Sequence, residues 1–245
     1  MITAIIQARM GSTRLPQKII RDLAGEPMLA RVVNRVKQSK LIDKVIVATT
    51  REVLDDFTAQ LCDKYNWDFY RGSANDVLDR YLRTARAFKA DVIVRITADC
   101  PLIDPGVIDE VVNKFLSCNP KVDYASNVQI RTYPRGLDVE VFTFEALEKA
   151  WTEDTNPATR EHVTPYIWQH PDKFNILSVC DATDHSFMRW CVDTREDLMF
   201  AQRIYDTLLN DTFGYKDVLH LLEIYPEWQS INREVKQKLV PVGEV

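Results

Sequence analysis

Cysteine, glycine and histidine are all scarce in this chain, and each scarcity removes a class of explanation. The five cysteines, Cys62, Cys100, Cys118, Cys180 and Cys191, are scattered and odd in number. They show no paired spacing, so neither a disulfide framework nor a zinc site is expected. Seven glycines and eleven prolines in 245 residues do not describe a fibrous or disordered chain. Four histidines show no metal-ligand spacing. Long apolar runs are missing too. The start, MITAIIQARM, turns polar after a few residues and lacks the plan of a secretory signal, and no later stretch has the length to span a bilayer. A cytoplasmic protein with reduced thiols is the expectation. The formal net charge of -5 gives no reason to expect broad nucleic-acid binding, although 31 Lys and Arg leave room for a local anion pocket. The glycine-rich signatures G-x-G-x-x-G and G-x-x-x-x-G-K-[ST] are also missing, which disfavours a hydride-transfer enzyme and a P-loop NTPase.

What is present is alternation of strand and helix. TAIIQA, KVIVATT, WDFYRG and DVIVRITAD read as strands. Between and after them, helices are predicted over residues 27–39, Glu52 to Lys64, 74–90 and Pro105 to Phe115. In the first of these, Met28, Val32, Val33 and Val36 form the apolar face, and Arg31, Arg35 and Lys37 are expected elsewhere. Such alternation implies an α/β fold whose mostly parallel sheet is covered by helices on both faces. Residues 122–190 are less regular. VDYASN and GLDVEVFTF are strand candidates split by a Pro/Gly turn. Helices are expected near Glu145 to Trp151 and Pro157 to Trp168, late strands at NILSVC and MRWCVD, and a clear helix at REDLMFAQRIYDTLL. After Glu227 a peripheral helix and terminus are expected. The length suits a single domain, with residues 1–120 as a nucleotide-binding half, 121–200 as an acceptor-binding and dimerising half, and 201–245 as C-terminal helices.

The first loop carries the clearest chemistry. ARMGSTRLPQK follows the first strand, and in open α/β sheets ligands bind outside the carboxyl ends of strands. Arg9, Arg14 and Lys18 supply cations at a density suited to a triphosphate, Gly11 permits a close backbone path, and Ser12 and Thr13 add hydroxyls. The ordinary alternative is a solvated basic loop. Asp99 ends the strand DVIVRITAD and stands at the same mouth. Asp104, before Pro105, suits a helix cap. Asp193 follows MRWCVD and reads equally as a helix N-cap or as the partner of Asp99 in holding Mg²⁺, a hard cation that takes one or two carboxylates together with phosphate oxygens.

IIQARMGSTRLPQK, RGSANDVLDRY, VRITADCPLID, YPRGLDVEVF, REHVTPYI and RWCVDTREDL together resemble the cytidylyltransferase family that makes CMP-activated sugars, including the 3-deoxy-manno-octulosonate and acylneuraminate enzymes. Among its branches the chain looks most like the one named for the spore coat polysaccharide biosynthesis protein SpsF. The resemblance implies a GT-A-like nucleotidyltransferase fold, CTP as the nucleotide, transfer of CMP with release of pyrophosphate, a role in surface polysaccharide or glycoconjugate synthesis, and a homodimer. It carries Arg9, Gly11, Ser12, Arg14 and Lys18 onto the phosphate-binding signature. Asp99 and Asp193 become the metal acids, and Arg71, Gly72 and Asp76 the border of the nucleotide, while Arg80 reads equally as a further cation there or as an exposed helix residue. Arg14, Lys18, Asp99 and Asp193 would then carry catalysis. Where the sugar-acid enzymes usually have a second acid after the metal acid, this chain has Cys100, expected to be a buried packing residue. The acceptor-side segments depart from the sugar-acid pattern as well.

For the acceptor, the candidates are Asn127, Arg131, Arg135, Asp138, Glu140, Arg160, Glu161 and His162. Trp151, Tyr166, Trp168, Phe187 and Trp190 are expected to pack rather than to stack on a base. A small molecule is the expected partner, whether a sugar, a sugar acid or a phosphorylated acceptor, with neither nucleic acid nor membrane insertion. Two other readings stand beside this one. A glycosyltransferase of the same broad fold would commonly show an Asp-x-Asp motif where TADCP offers one acid. A catalytically silent binding protein would have no need of the cations together with Asp99 and Asp193.

Overall fold

A computed structural model describes residues 1–237. The chain runs β1 (Ile2–Gln7), a short hairpin of β2 (Asp22–Leu23) and β3 (Glu26–Pro27), α1 (Met28–Val36), β4 (Lys44–Thr50), α2 (Asp56–Lys64), β5 (Asp68–Gly72), α3 (Val77–Phe88), β6 (Val92–Thr97) and α4 (Pro105–Ser117). The second half adds β7 (Tyr124–Ser126), β8 (Glu140–Thr143), α5 (Phe144–Glu153), α6 (Pro157–His162), α7 (Pro165–Gln169), β9 (Ile176–Ser178), α8 (Arg195–Leu208) and α9 (Tyr215–Ile224). Seven strands form one sheet in the order β5-β4-β1-β6-β8-β7-β9. The expected mostly parallel α/β sheet is present: β1 lies parallel to β4 and β6, β4 to β5, and β7 to β9, while β8 is antiparallel to both its neighbours.

Period-two alternation explains the layers. Ala4 and Ile6 of β1, Val94 and Ile96 of β6, Ala125 and Val141 face a core built with α1, α4 and α8. Ile5, Ile93, Tyr124 and Phe142 face the opposite core, built with α3 and α5. Each fully buried aliphatic side chain contributes about 1.5–3 kcal/mol. Strand order also locates the site. From β1 the chain proceeds outward through β4 and β5, then returns to place β6 on the other flank of β1. The switch therefore lies between β1 and β6, and a crevice opens at their carboxyl ends.

Several local expectations are corrected. MRWCVD is not a strand, because only an isolated bridge pairs Arg189 with Arg135. The helix expected over residues 157–168 is broken at Val163, a buried residue at φ 72°, a conformation costly for a β-branched side chain. The helix expected from Glu52 begins as a 3-10 turn at Val53–Asp55. Arg35 does not avoid the apolar side of α1: it is fully buried, donating to the carbonyls of Ile103 (2.6 Å), Asp211 (2.8 Å) and Phe213 (2.9 Å). Phe187, expected to pack, is 71% exposed. Beyond Glu227 the chain continues a 3-10 turn at Pro226–Ser230; the part of the expected terminus past residue 237 lies outside the described residues. Asp104 does cap α4, accepting from the amide of Val107 at 2.8 Å. Among the described residues no helix is long and apolar enough to cross a membrane.

Candidate active site

The loop after β1 folds over the mouth of the sheet because two contacts pin its ends. The amide of Met10 donates to buried Asp55 at 2.7 Å, and Asp55 also receives the Thr50 hydroxyl at the end of β4. Further on, the Ser12 hydroxyl bonds the carbonyl of Leu15. Gly11 lies on an open path: a methyl group built there would touch nothing within 4 Å. Glycine is thus not demanded by the protein's own packing at that point, and the space is free for a bound group.

Asp99 and Asp193 meet at one cation. The ammonium of Lys18 donates to Asp99 at 2.9 Å, to Asp193 at 2.8 Å and to the carbonyl of Val192 at 3.1 Å. The meeting is built by backbone: the amide of Val192 donates to the carbonyl of Asp99 at 2.7 Å. Thr97 supports Asp99 through its hydroxyl at 2.5 Å. Asp193 is not the helix cap. Thr194 caps α8 in a capping box with Asp197, which leaves the Asp193 carboxylate to pair with Arg14 and Arg189, each at 2.9 Å. Arg189 is itself gripped by buried Asp197 at 2.8 and 2.9 Å. Burial works against the charge on Asp99, yet Lys18 and the Thr97 hydroxyl outweigh it and bring the pKa down to about 2. Burial likewise opposes the Lys18 charge, and the two carboxylates overcome it, holding the ammonium above its ordinary range. Cys100 is buried as expected, and burial pushes its thiol well up, so it stays protonated.

Two cavities adjoin along this line. One, about 310 Å³, is lined by Arg9, Gly11, Ser12, Arg14, Lys18 and Asp99 among others. The second, about 560 Å³, extends beneath the other half of the sheet toward Arg131, Arg135, Asp138, Glu161 and His162. Gln7, Arg9, Arg14, Thr97, Asp99 and Asp193 line both. A pair of carboxylates converging on one point, with open space on the side of the loop after β1, suits a hard divalent cation that fills its other positions with phosphate oxygens and water. Among the described residues no group of three or more His, Cys, Asp or Glu is gathered as an all-protein metal cage.

The remaining candidates divide sharply by what their polar atoms already hold. Arg71 is spent on the carbonyls of Thr50 (2.9 Å) and Glu52 (3.1 Å) and on Asp56 (2.7 Å). Asp76 caps α3, accepting from the Asp79 amide at 2.9 Å, and pairs with Arg160 at 2.7 Å. Arg160 gives its other donors to the carbonyls of Trp151 (3.0 Å) and Asp154 (2.7 Å). None of Arg71, Gly72, Asp76 or Arg160 lines either cavity. Gly72 instead makes room for the buried Arg80 stem, 2.7 Å from where a methyl group would stand. Asn127 is also turned inward, donating to Leu137 O (2.7 Å) and accepting from Val139 N (2.9 Å). Glu140 reaches the cavity wall, but its oxygens are taken by Arg95, by Tyr124 at 2.7 Å and by Thr164 at 2.5 Å. Arg131 and Asp138 pair with each other at 2.6 and 2.9 Å.

Arg135 stands apart. Its half-buried guanidinium makes no hydrogen bond or ion pair among the described residues, and it lines the larger cavity. Burial, Arg131 and Arg189 depress its pKa from the ordinary arginine value. Gly136 fixes it there. At φ 112°, a methyl group on Gly136 would lie 2.5 Å from the amide nitrogen of Cys191, so only glycine lets this turn seat against residues 189–191. Sequence reasoning missed Asp55, Thr97, Arg189 and Asp197 as supports of the site. Asp197 carried a local signal, the D-T-R-E-D cap pattern; Thr97 and Arg189 act on acids two to eight residues along the chain, and Asp55 acts through Met10, 45 residues away.

Comparison with known proteins agrees with this geometry. A family model described as cytidylyltransferase matches residues 3–224. The chain is similar to the spore coat polysaccharide biosynthesis protein SpsF of Bacillus subtilis, 32% identical over 214 residues, which is 83% of this chain and 86% of that protein. It is also similar to the 3-deoxy-manno-octulosonate cytidylyltransferase of Trichlorobacter lovleyi, 38% identical over 122 residues, covering 49% of this chain and 46% of that one. Among solved structures, a cytidylyltransferase from Leptospira borgpetersenii superposes with a TM-score of 0.90 at 36% identity, covering 97% of this chain and 99% of the other. The sheet and these matches together make the chain a member of the cytidylyltransferase family, and an enzyme of the nucleotidyltransferase fold.

Proposed function

We propose that the enzyme transfers CMP from CTP to a sugar-like small molecule bearing an anionic group, with release of pyrophosphate. The observation that carries this reading is the continuity of two unlike cavities across the Asp99–Asp193 pair. One is walled by the loop cations Arg9, Arg14 and Lys18. The other is lined by the guanidinium of Arg135, which makes no hydrogen bond or ion pair among the described residues. A triphosphate suits the first, since its charge needs several cations at close range. An acceptor phosphate or carboxylate suits the second.

In this mechanism an acceptor oxygen attacks the α-phosphorus of CTP. The new oxygen–phosphorus bond forms as the bond to the bridging oxygen breaks, and pyrophosphate leaves with that electron pair. Arg9, Arg14 and Lys18 neutralise the charge that builds on the leaving group. Arg135 holds the acceptor's anionic group, which fixes the attacking oxygen in line and removes much of the entropic barrier. Asp99 and Asp193 would hold Mg²⁺, which when bound supplies Lewis-acid charge at the phosphates. A phosphate acceptor needs no base. A hydroxyl acceptor would lose its proton to a carboxylate of the larger cavity, where Glu161 is the exposed one of the wall. Pairing of two copies through the second half belongs to the same reading, and Ile130, Phe187 and Met199 are large apolar side chains exposed there.

The test is pyrophosphate release with each nucleoside triphosphate, Mg²⁺ and a panel of sugar acids and sugar phosphates. Release that requires both CTP and an acceptor supports the reading. Transfer from a nucleotide sugar without any pyrophosphate release would establish a glycosyltransferase instead. The end of β6 speaks against that outcome, since Asp99 is followed by Cys100 and Pro101 rather than by a second acid.

A further inference from the structure

Lys18 presents an unusual arrangement for a phosphate-loop cation. An ammonium has three N–H donors, and all three are committed away from the loop, to Asp99, Asp193 and the Val192 carbonyl. We propose that Lys18 is a built-in counterion that keeps a divalent cation off the Asp99–Asp193 pair until nucleotide phosphates draw the lysine away, so that metal and nucleotide enter together. The inference rests on the reading of Asp99 and Asp193 as the metal-holding acids.

Three features support it. First, the position is already neutralised. Two carboxylates face Lys18 and Arg14 directly, with Arg189 shared between Asp193 and Asp197. A divalent ion arriving alone would meet a cluster with no excess negative charge, and would have to displace an ammonium 2.8–2.9 Å from both acids. Second, the lysine has somewhere to go. It lines the same cavity as Arg9, Gly11, Ser12 and Arg14, and a four-carbon stem carrying a mobile point charge can swing to a phosphate there without backbone motion. Its backbone is meanwhile held by Ile19, buried in the core. Third, the swap conserves charge. When the ammonium moves to phosphate oxygens, Asp99 loses the cation it is paired with, Asp193 keeps Arg14 and Arg189, and the cluster is left one positive charge short. The nucleotide thereby creates the vacancy that its own metal fills.

The experiment measures Mn²⁺ binding to the full chain by the loss of the free-ion EPR signal, without nucleotide, for wild type, Lys18→Met and Lys18→Gln, each checked for cooperative unfolding. Wild type is expected to bind Mn²⁺ weakly, and both variants at least about tenfold more tightly, because each removes the charge. Equal affinity within about twofold across all three overturns the lysine inference and leaves the metal reading standing. No Mn²⁺ bound at the acids in any of them, even with CTP present, removes both. A second measurement needs no variant: a crystal structure of wild type with inorganic tripolyphosphate and no metal. The Lys18 ammonium is expected on phosphate oxygens; an ammonium still bonded to both carboxylates with the tripolyphosphate seated overturns the proposal.

Discussion

Val192 and Asp99 are joined by a backbone hydrogen bond of 2.7 Å, and that bond fixes where the Asp193 carboxylate lies. It sets an irregular segment against the end of β6 and brings Asp193 within reach of the ammonium already on Asp99. The acid at the strand mouth and the acid beyond it thus become one site, although the strand expected to carry the second acid does not form. A turn on the other side of the same segment supplies the support, and the first prediction concerns that turn.

Gly136→Ala is expected to destabilise the protein by about 3 kcal/mol or more. The methyl group would strike backbone atoms of Trp190 and Cys191 at φ 112°, and backbone cannot yield as a flexible side chain can. Urea unfolding followed by circular dichroism measures the loss. A change below about 0.5 kcal/mol would mean the turn is free to move away from residues 189–191.

Glu140→Ala tests whether this acid serves the fold or the acceptor. Its loss leaves Arg95, largely buried, without its carboxylate, and removing one partner of such a pair costs about 3–5 kcal/mol. A large fall in melting temperature is expected. An unchanged melting temperature with a raised KM for the acceptor would instead make Glu140 a substrate ligand.

Arg135→Ala is expected to raise the KM of the anionic acceptor by about 10- to 100-fold, the range for losing a charge-assisted contact. The KM for CTP and the folding stability should stay near wild type, since the side chain holds no protein partner among the described residues. Steady-state kinetics with each substrate varied in turn separates the two. An equal rise in both constants would contradict an acceptor-side role.

Asp197→Asn probes the support beneath Asp193. Burial raises the cost of the Asp197 charge, but Arg189 and the amide of Asp193 more than offset it, so the folded pKa lies below the ordinary 3.8. A depressed carboxylate stabilises the fold above its unfolded value, and that contribution disappears as pH falls through the lower folded value. Wild type should therefore lose stability below about pH 4, and Asp197→Asn should show a flatter acid limb and a lower plateau at neutral pH. Denaturant midpoints across pH 2.5–7 record both. Parallel curves for the two proteins would show that Asp197 contributes nothing through its charge.

The amino-acid sequence determined the local features of this protein by itself. Period-two and helical patterns marked β1, β4, β5 and β6 with their helices, since an apolar face leaves a periodic trace in the chain. The loop's Arg9, Arg14 and Lys18, the strand-end Asp99 and the Asp104 cap were legible for the same reason: each follows from its position relative to its own element. Tertiary structure alone decided how polar side chains are spent. Arg71 and Arg160 are arginines like Arg135, and Asp76, Asn127 and Glu140 are polar side chains of the kind that bind ligands, yet all five are used up on protein partners, while Arg135 lines the cavity with no hydrogen bond or ion pair among the described residues. Arg35 shows the same limit, a cation drawn into the core because three carbonyls from distant segments converge on it. Hydrogen-bond partners are chosen by contacts across the fold, and a charge leaves no periodic mark that says whether its partner will be another part of the chain or a ligand.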